Sequence, residues 1–337
     1  MLTPPPAEAN DKIAILAPSS QVPEIAVERG KEILENEFNL VPEIYPSVTA
    51  EKKLSPANRA EEIHRAFESE ATAVFAVTGG EDQMRLLRHI ELDGIQSNPT
   101  RFFGISDNTH LHLALSSAGI VSYYGGQFLP SIIRGRTLPE YTKRYLKAAL
   151  FEKNIGKIQP ANKWTDDNWS LEEERSCEWN TNDGWNWEFP EENLVTGSIW
   201  GGCFLAIEHF LATNYHVPEP STMDDTVVVV ESSGLIPEPY LIKSVLRCMG
   251  ERGYLKKASA VLVGRPKTQS SGNLKHIDQK KYIDMQFSAV YDVLRSYQSD
   301  IPIIFNVDFG HTDPHVPIPI GGTVQLDPIQ KSITFRK

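Results

Sequence analysis

A chain of 337 residues is longer than one hydrophobic core usually serves, so two domains are expected. With 40% hydrophobic and 23% charged residues the composition is that of an ordinary soluble globular protein. The net charge of −11, from 33 basic against 44 acidic side chains, argues against a nucleic-acid backbone or an anionic membrane surface as the partner.

The chain opens on MLTPPPAEAN, which has neither the basic start nor the apolar run of a signal peptide, and no later segment has the length to span a bilayer. Lys12 to Ala17 reads as a compact apolar strand ending in Pro18-Ser-Ser20, with helical spacing from Glu24 to Glu37. Leu40 to Tyr45 gives a second strand, Pro56 to Ser69 a helix and Thr72 to Val77 a third strand. Thr78-Gly-Gly-Glu-Asp82 follows, then a helix through Met84, Leu86, Leu87 and Ile90. Arg101 to Ile105 is a fourth strand, Asn108 to Ser117 a helix and Ile120 to Tyr124 a fifth strand. Repeated strand and helix with short loops predict a parallel sheet covered on both faces, with ligands bound beyond the carboxyl ends of the strands. Gly79-Gly80 and Ser106 both lie at such ends.

From Phe151 to Asn193 neither period is evident, and Trp164, Trp169, Trp179, Trp185 and Trp187 stand among Asn, Asp and Glu. This segment reads as an interdomain excursion whose indoles either bind a ligand or pin a long loop to the body. The expected division is therefore 1–150, 151–193 and 194–337. In the last part, Gly201 to Thr213 reads as helix, Thr226 to Val230 as a strand running into Glu231, and Pro237 to Arg252 as helix. Strand, helix and strand follow at Ala258 to Val263, Lys280 to Arg295 and Ile301 to Phe305; Asn306 to Gly322 reads as loop and the end as a hairpin. Cys177, Cys203 and Cys248 form no C-x-x-C pair, so neither a disulfide framework nor a zinc site is indicated, and a reducing cytoplasm fits.

Three residues stand where buried strands stop. Ser106, in Gly104-Ile-Ser-Asp-Asn108, sits at a strand-to-helix turn with the geometry of a nucleophile elbow, although Asn108 replaces the second glycine of G-x-S-x-G. The same position suits a plain helix N-cap. Glu231 follows four valines, where a carboxylate is costly to bury without a partner, and His311 lies in the loop after Ile301 to Phe305. Together they can form a triad, with His311 taking the hydroxyl proton and Glu231 fixing its tautomer. Alternatively, Glu231 pairs at a domain edge and His311 bonds a loop carbonyl. Asp308, His311, Asp313 and His315 make a rival metal cluster, crowded into eight loop residues with Pro314 and Pro317 beside them. His110 and His112 are two apart and point to different helix faces. A two-domain binding module without chemistry fits the same strands, and a nicotinamide enzyme fits poorly because no G-x-G-x-x-G follows the first strand.

Motifs then add what spacing does not. Thr78-Gly-Gly-Glu-Asp82, Gly104-Ile-Ser-Asp107 with Leu111-His-Leu-Ala-Leu115, Val228-Val-Val-Glu231 with Pro239-Tyr240, Phe309-Gly-His311 with Pro317-Ile-Pro-Ile-Gly321, and the turn Gly197-Ser-Ile-Trp-Gly-Gly202 occur in this order. In them the chain resembles the LD-carboxypeptidase family of serine peptidases, and within it the branch similar to microcin C immunity peptidases. The resemblance implies a flavodoxin-like parallel-sheet N-terminal domain and a C-terminal α/β domain built around a small β-barrel, commonly assembled as a homodimer. It implies Ser106 as nucleophile, Glu231 as acid, His311 as general base, and an oxyanion hole from the backbone N–H groups of Gly80 and Asp107. The implied substrate is a small murein peptide ending in D-alanine or, in the immunity branch, an aminoacyl or peptidyl nucleotide amide, with no metal or other cofactor. In that branch an aromatic residue of the Trp-rich segment stacks on the nucleobase, and Trp185 and Trp187 are the expected counterparts here. Glu81-Asp82 places carboxylates near the site, suited to repelling an anion or binding an amine.

Overall fold

The computed structural model describes residues 1–133, 138–167, 177–269 and 278–336. Strands β1 (Lys12–Leu16), β2 (Val41–Ile44), β3 (Ala73–Ala76), β4 (Arg101–Gly104) and β5 (Ser122–Tyr124) run parallel in the order β2-β1-β3-β4-β5. This is the flavodoxin-like arrangement. The central strands β3 and β4 are buried throughout, as apolar strands covered on both faces must be. The helices Glu24–Phe38, Pro56–Glu68 and Thr109–Ser117 connect them. Pro56–Glu68 starts as its sequence predicts, with Pro56 in the first turn and the Ser55 hydroxyl accepting the Asn58 N–H.

The second sheet is mixed. Four parallel strands, β10 (Val195–Cys203), β11 (Thr226–Glu231), β12 (Ala258–Gly264) and β13 (Ile303–Val307), form its middle. The hairpin β15 (Thr323–Asp327) and β16 (Ser332–Arg336) adds antiparallel to β10. The two end strands are β6 (Gly156–Ile158) beside β16 and β9 (Asn186–Glu188) beside β13. A separate pair, β7 (Lys163–Trp164) and β8 (Asn180–Thr181), is antiparallel. The segment without sequence period thus supplies both ends of this sheet, in strands of three residues, too short to show alternation.

Two differences from the sequence reading have physical reasons. Gly201–Cys203 continue β10 and the helix is Phe204–Thr213, because the small residues let β10 approach the Val229 backbone, where a side chain at Gly201 would clash. Ile318–Ile320, read as loop, is β14, which pairs antiparallel with β5 and extends the first sheet; its Pro319 marks an edge strand. The helix expected through Met84, Leu86 and Leu87 is present as a 3₁₀ helix, Gln83–His89. β14 thus carries the chain from the second sheet to the first, and one apolar cluster holds Phe103 and Tyr124 together with Val229 and Val324. Among the described residues no helix is long and apolar enough to cross a membrane.

Candidate active site

The carboxyl ends of the parallel strands of both sheets open on one crevice of about 430 Å³. The first half contributes Ser20 after β1, Gly80 and Glu81 after β3, and Ser106 and Asp107 after β4. The second contributes Cys203, Leu205, Ala206 and His209 around the end of β10, Ser233 to Leu235 after β11, and His311 after β13.

Ser106 is the first residue after the β4 turn and holds a left-handed backbone, φ +63°, uncommon for a residue with a side chain. The surrounding structure imposes it. The Ser106 N–H donates to the Tyr124 hydroxyl at 2.9 Å, and the Ile105 N–H to the Gln127 side chain at 2.9 Å. Asn108, the departure from the glycine of an elbow motif, donates to Thr78 O, Ile105 O and the Gln127 amide, and accepts from Gln83 at 2.8 Å. Its side chain ties the β4 turn to the loop after β3, a role glycine cannot fill. In that loop, a Cβ on Gly79 would lie 2.9 Å from the Ser106 Cβ, so glycine there lets the loop run against the serine. Gly80 has φ +155°, and a Cβ on it would lie 2.4 Å from the Ser19 and Ser20 hydroxyls.

The Asp107 carboxylate binds the same two loops from beneath. It accepts from the Asp82 N–H at 2.9 Å, the Gln83 N–H at 2.8 Å and the Ser19 hydroxyl, and lies 3.1 Å from His110 Nδ1. Burial works against its charge, but His110, Ser19 and the Gln83 N–H outweigh burial and hold its pKa below the usual aspartate value. The His110 ring lies parallel to that of His209, with centroids 6.2 Å apart.

Glu231 is fully buried at the end of β11. One carboxylate oxygen accepts from the Tyr124 hydroxyl at 2.6 Å and the other is 2.8 Å from His311 Nδ1. Gly310, at φ +100°, makes this approach possible, since a Cβ there would sit 2.8 Å from the carboxylate. Burial, then the neighbouring Glu231, push the Tyr124 pKa well above that of a free phenol, so it stays a donor. The same two causes raise the buried Cys203 thiol, which therefore stays protonated.

Ser106, Asp107, Gly80 and His311 therefore share the crevice, with Glu231 behind His311. Trp185 and Trp187 are used elsewhere. Trp185 is buried and donates its indole N–H to Asp308 at 2.9 Å, and Trp187 packs on Phe189 and beneath Lys331. Neither lines the crevice. Trp164 is buried against Arg265, Trp179 is exposed, and Trp169 lies outside the described residues. The rival metal cluster is split: His311 turns to Glu231 and Asp308 to Arg265, while His315 stays beside Asp313 at 3.2 Å. Among the described residues no group of three or more His, Cys, Asp or Glu is placed to hold a metal ion. Sequence reasoning missed Tyr124, Gln83, Gln127 and Cys203. Tyr124 alone carried a signal, as a polar-tipped residue ending a buried strand before two glycines.

Residues 13–125 match the LD-carboxypeptidase N-terminal domain and residues 196–326 the LD-carboxypeptidase C-terminal domain. A Bacillus subtilis relative bears the name "Putative carboxypeptidase YocD"; it is 27% identical over 81% of this chain and 78% of its own. An MccF-like protein from Streptococcus pneumoniae, solved in complex with AMP, is 25% identical and superposes with a TM-score of 0.83 over 97% of this chain and 98% of its own. The microcin C7 self-immunity protein MccF, solved with aspartyl sulfamoyl adenosine, has the same fold at a TM-score of 0.84, with 20% identity and coverage of 100% and 99%.

Proposed function

Because this chain belongs to the LD-carboxypeptidase family, we propose that it is a serine hydrolase with Ser106 as nucleophile, His311 as general base and Glu231 as the acid that orients the histidine. The observation that carries this reading is the buried Glu231 carboxylate 2.8 Å from His311 Nδ1, in the crevice that His311 shares with a serine held at positive φ. The carboxylate selects the Nδ1–H tautomer and leaves Nε2 as the basic nitrogen.

In the first half-reaction the Ser106 Oγ attacks the amide carbonyl carbon and its proton passes to His311 Nε2. The carbon–nitrogen bond then breaks, the leaving nitrogen takes that proton, and an acyl-enzyme remains. Water attacks the ester, gives its proton to His311, and the acid product leaves as Ser106 regains the proton. The N–H groups of Gly80 and Asp107 are the donors for the developing oxyanion, and the Asp107 carboxylate keeps their two loops in register so that little reorganisation is needed. The Tyr124 hydroxyl, between the Ser106 N–H and Glu231, links nucleophile and acid.

For the substrate we favour an aminoacyl or peptidyl nucleotide amide, supported by relatives seen with AMP and with aspartyl sulfamoyl adenosine. The carboxypeptidase-named relative supports a second reading, release of a terminal D-alanine from a murein tetrapeptide. The first experiment is intact-mass analysis after reaction with a fluorophosphonate. One adduct on the native protein, absent from Ser106→Ala and slowed in His311→Ala, is expected. An adduct that persists in Ser106→Ala overturns the assignment, and assays of both amide classes then choose the substrate.

A further inference from the structure

The crevice is apolar on one side and acidic on another. Leu205 and Ala206 form one apolar wall, and Leu235, an exposed leucine with 71% of its surface free, stands at the mouth. Among the described residues that line it there is no lysine or arginine; the titratable ones are Glu81, Asp107, His209, His311 and the Cys203 thiol, which stays protonated. Asp107 is committed to its loop donors and His311 to Glu231. Glu81 and its neighbour Asp82 differ sharply. Asp82 is ion-paired to Arg59 at 2.6 Å, Lys53 at 3.0 Å and Arg85 at 3.1 Å. Glu81 is exposed, borders the space in front of Ser106, and makes no ion pair or hydrogen bond to another described residue.

We infer that the acyl group accepted at Ser106 carries a free ammonium, met by Glu81, and an apolar side chain, packed on Leu205, Ala206 and Leu235. This rests on the serine-hydrolase reading and adds the acyl selectivity. An acidic side chain or a terminal carboxylate finds no lysine or arginine among the described residues of these walls and faces the Glu81 charge instead. Opposed unit charges a few ångströms apart at a half-open surface discriminate by about tenfold or more, and an apolar side chain filling such a wall by a similar factor. The aspartyl compound held by the microcin immunity protein is therefore the wrong acyl group for this chain.

Binding to the Ser106→Ala protein, measured by calorimetry at pH 7 with leucyl, aspartyl and N-acetyl-leucyl sulfamoyl adenosine, separates recognition from turnover. The leucyl compound should bind at least tenfold more tightly than either of the others. Adding Glu81→Gln should shrink the N-acetyl penalty to about twofold, and Glu81→Lys should turn the preference toward the aspartyl compound. Equal or tighter aspartyl binding, an N-acetyl penalty that survives Glu81→Gln, or no binding of any compound overturns the inference. Failure of the underlying reading shows differently: the native protein binds the leucyl compound and does not hydrolyse it.

Discussion

Glu231 and Asp308 are both fully buried carboxylates at the ends of parallel strands in the same sheet, and their surroundings give them opposite uses. Asp308 is enclosed and neutralised. It pairs with the equally buried Arg265 at 2.8 Å and accepts from the Trp185 indole at 2.9 Å and the Ala161 N–H at 3.1 Å. Arg265 in turn lies over the Trp164 ring at 5.0 Å, so the ion pair fastens the Trp-rich segment to the second sheet. Among the described residues Glu231 has no such fixed cation; it meets a phenol and an imidazole, and the imidazole faces the crevice. A buried carboxylate whose charge is already matched serves structure. One whose partner gains a proton only during a reaction serves chemistry.

The comparison breaks most sharply at the reacting residues. Ser106→Ala and Glu231→Gln should each lower kcat by about 10³ to 10⁴-fold with folding retained, read by steady-state kinetics beside circular dichroism. An active Glu231→Gln protein would place Glu231 with Asp308 as a structural group. Asp308→Ala should do the reverse. Leaving Arg265 buried and unpaired costs about 3–5 kcal/mol of stability, seen in urea unfolding, whereas the protein that remains folded keeps its catalytic rate.

A smaller effect is expected from Tyr124→Phe, which removes the donor to Glu231 and the acceptor of the Ser106 N–H without changing ring volume. Two lost hydrogen bonds of about 1 kcal/mol each predict a 10 to 100-fold fall in kcat with little change in KM. A changed KM with native kcat would assign Tyr124 to substrate binding.

The smallest effect concerns pH. Burial lowers the His112 pKa from 6.5 to about 3, against the pull of the Gly104 carbonyl that it contacts at 3.0 Å. The folded protein keeps this ring neutral while the unfolded chain protonates it, so between those values the unfolded state binds more protons and stability rises with pH. Unfolding free energy should therefore fall as pH drops below 6.5, with a slope of up to about 1.4 kcal/mol per pH unit. His112→Gln should flatten that slope, and an unchanged slope would show that other groups carry it.

Which parts of this were legible follows from how local their causes are. The Thr226 to Glu231 run is a continuous apolar strand ending in a carboxylate, and its composition alone made it a buried strand with a partnered end. The Ser106 turn was readable as a strand-to-helix junction, yet the reason for Asn108 was not, since its partners Thr78, Gln83 and Gln127 are distant in sequence. An indole in a polar segment has the same sequence signature whether it faces a ligand or a buried aspartate, so the placement of Trp185 on Asp308 and of Trp187 on Phe189 is not legible from spacing. Gly201 to Cys203 read as the start of a helix because glycines carry no periodicity, and only the neighbouring strand shows that they extend β10.

By itself the sequence determined the repeated βα units, the hairpin at the end, and the positions of Ser106, Glu231 and His311 at the ends of elements, because apolar period and turn chemistry act over a few residues. The tertiary structure decided the rest. It brought the strand ends of both sheets to one crevice, laid β14 against β5, paired Glu231 with His311 across 80 residues, inserted Tyr124 between acid and nucleophile, and turned Asp82 toward three cations while leaving Glu81 exposed. Those outcomes depend on which side chains packing brings within hydrogen-bond reach, and that distance has no counterpart in residue spacing.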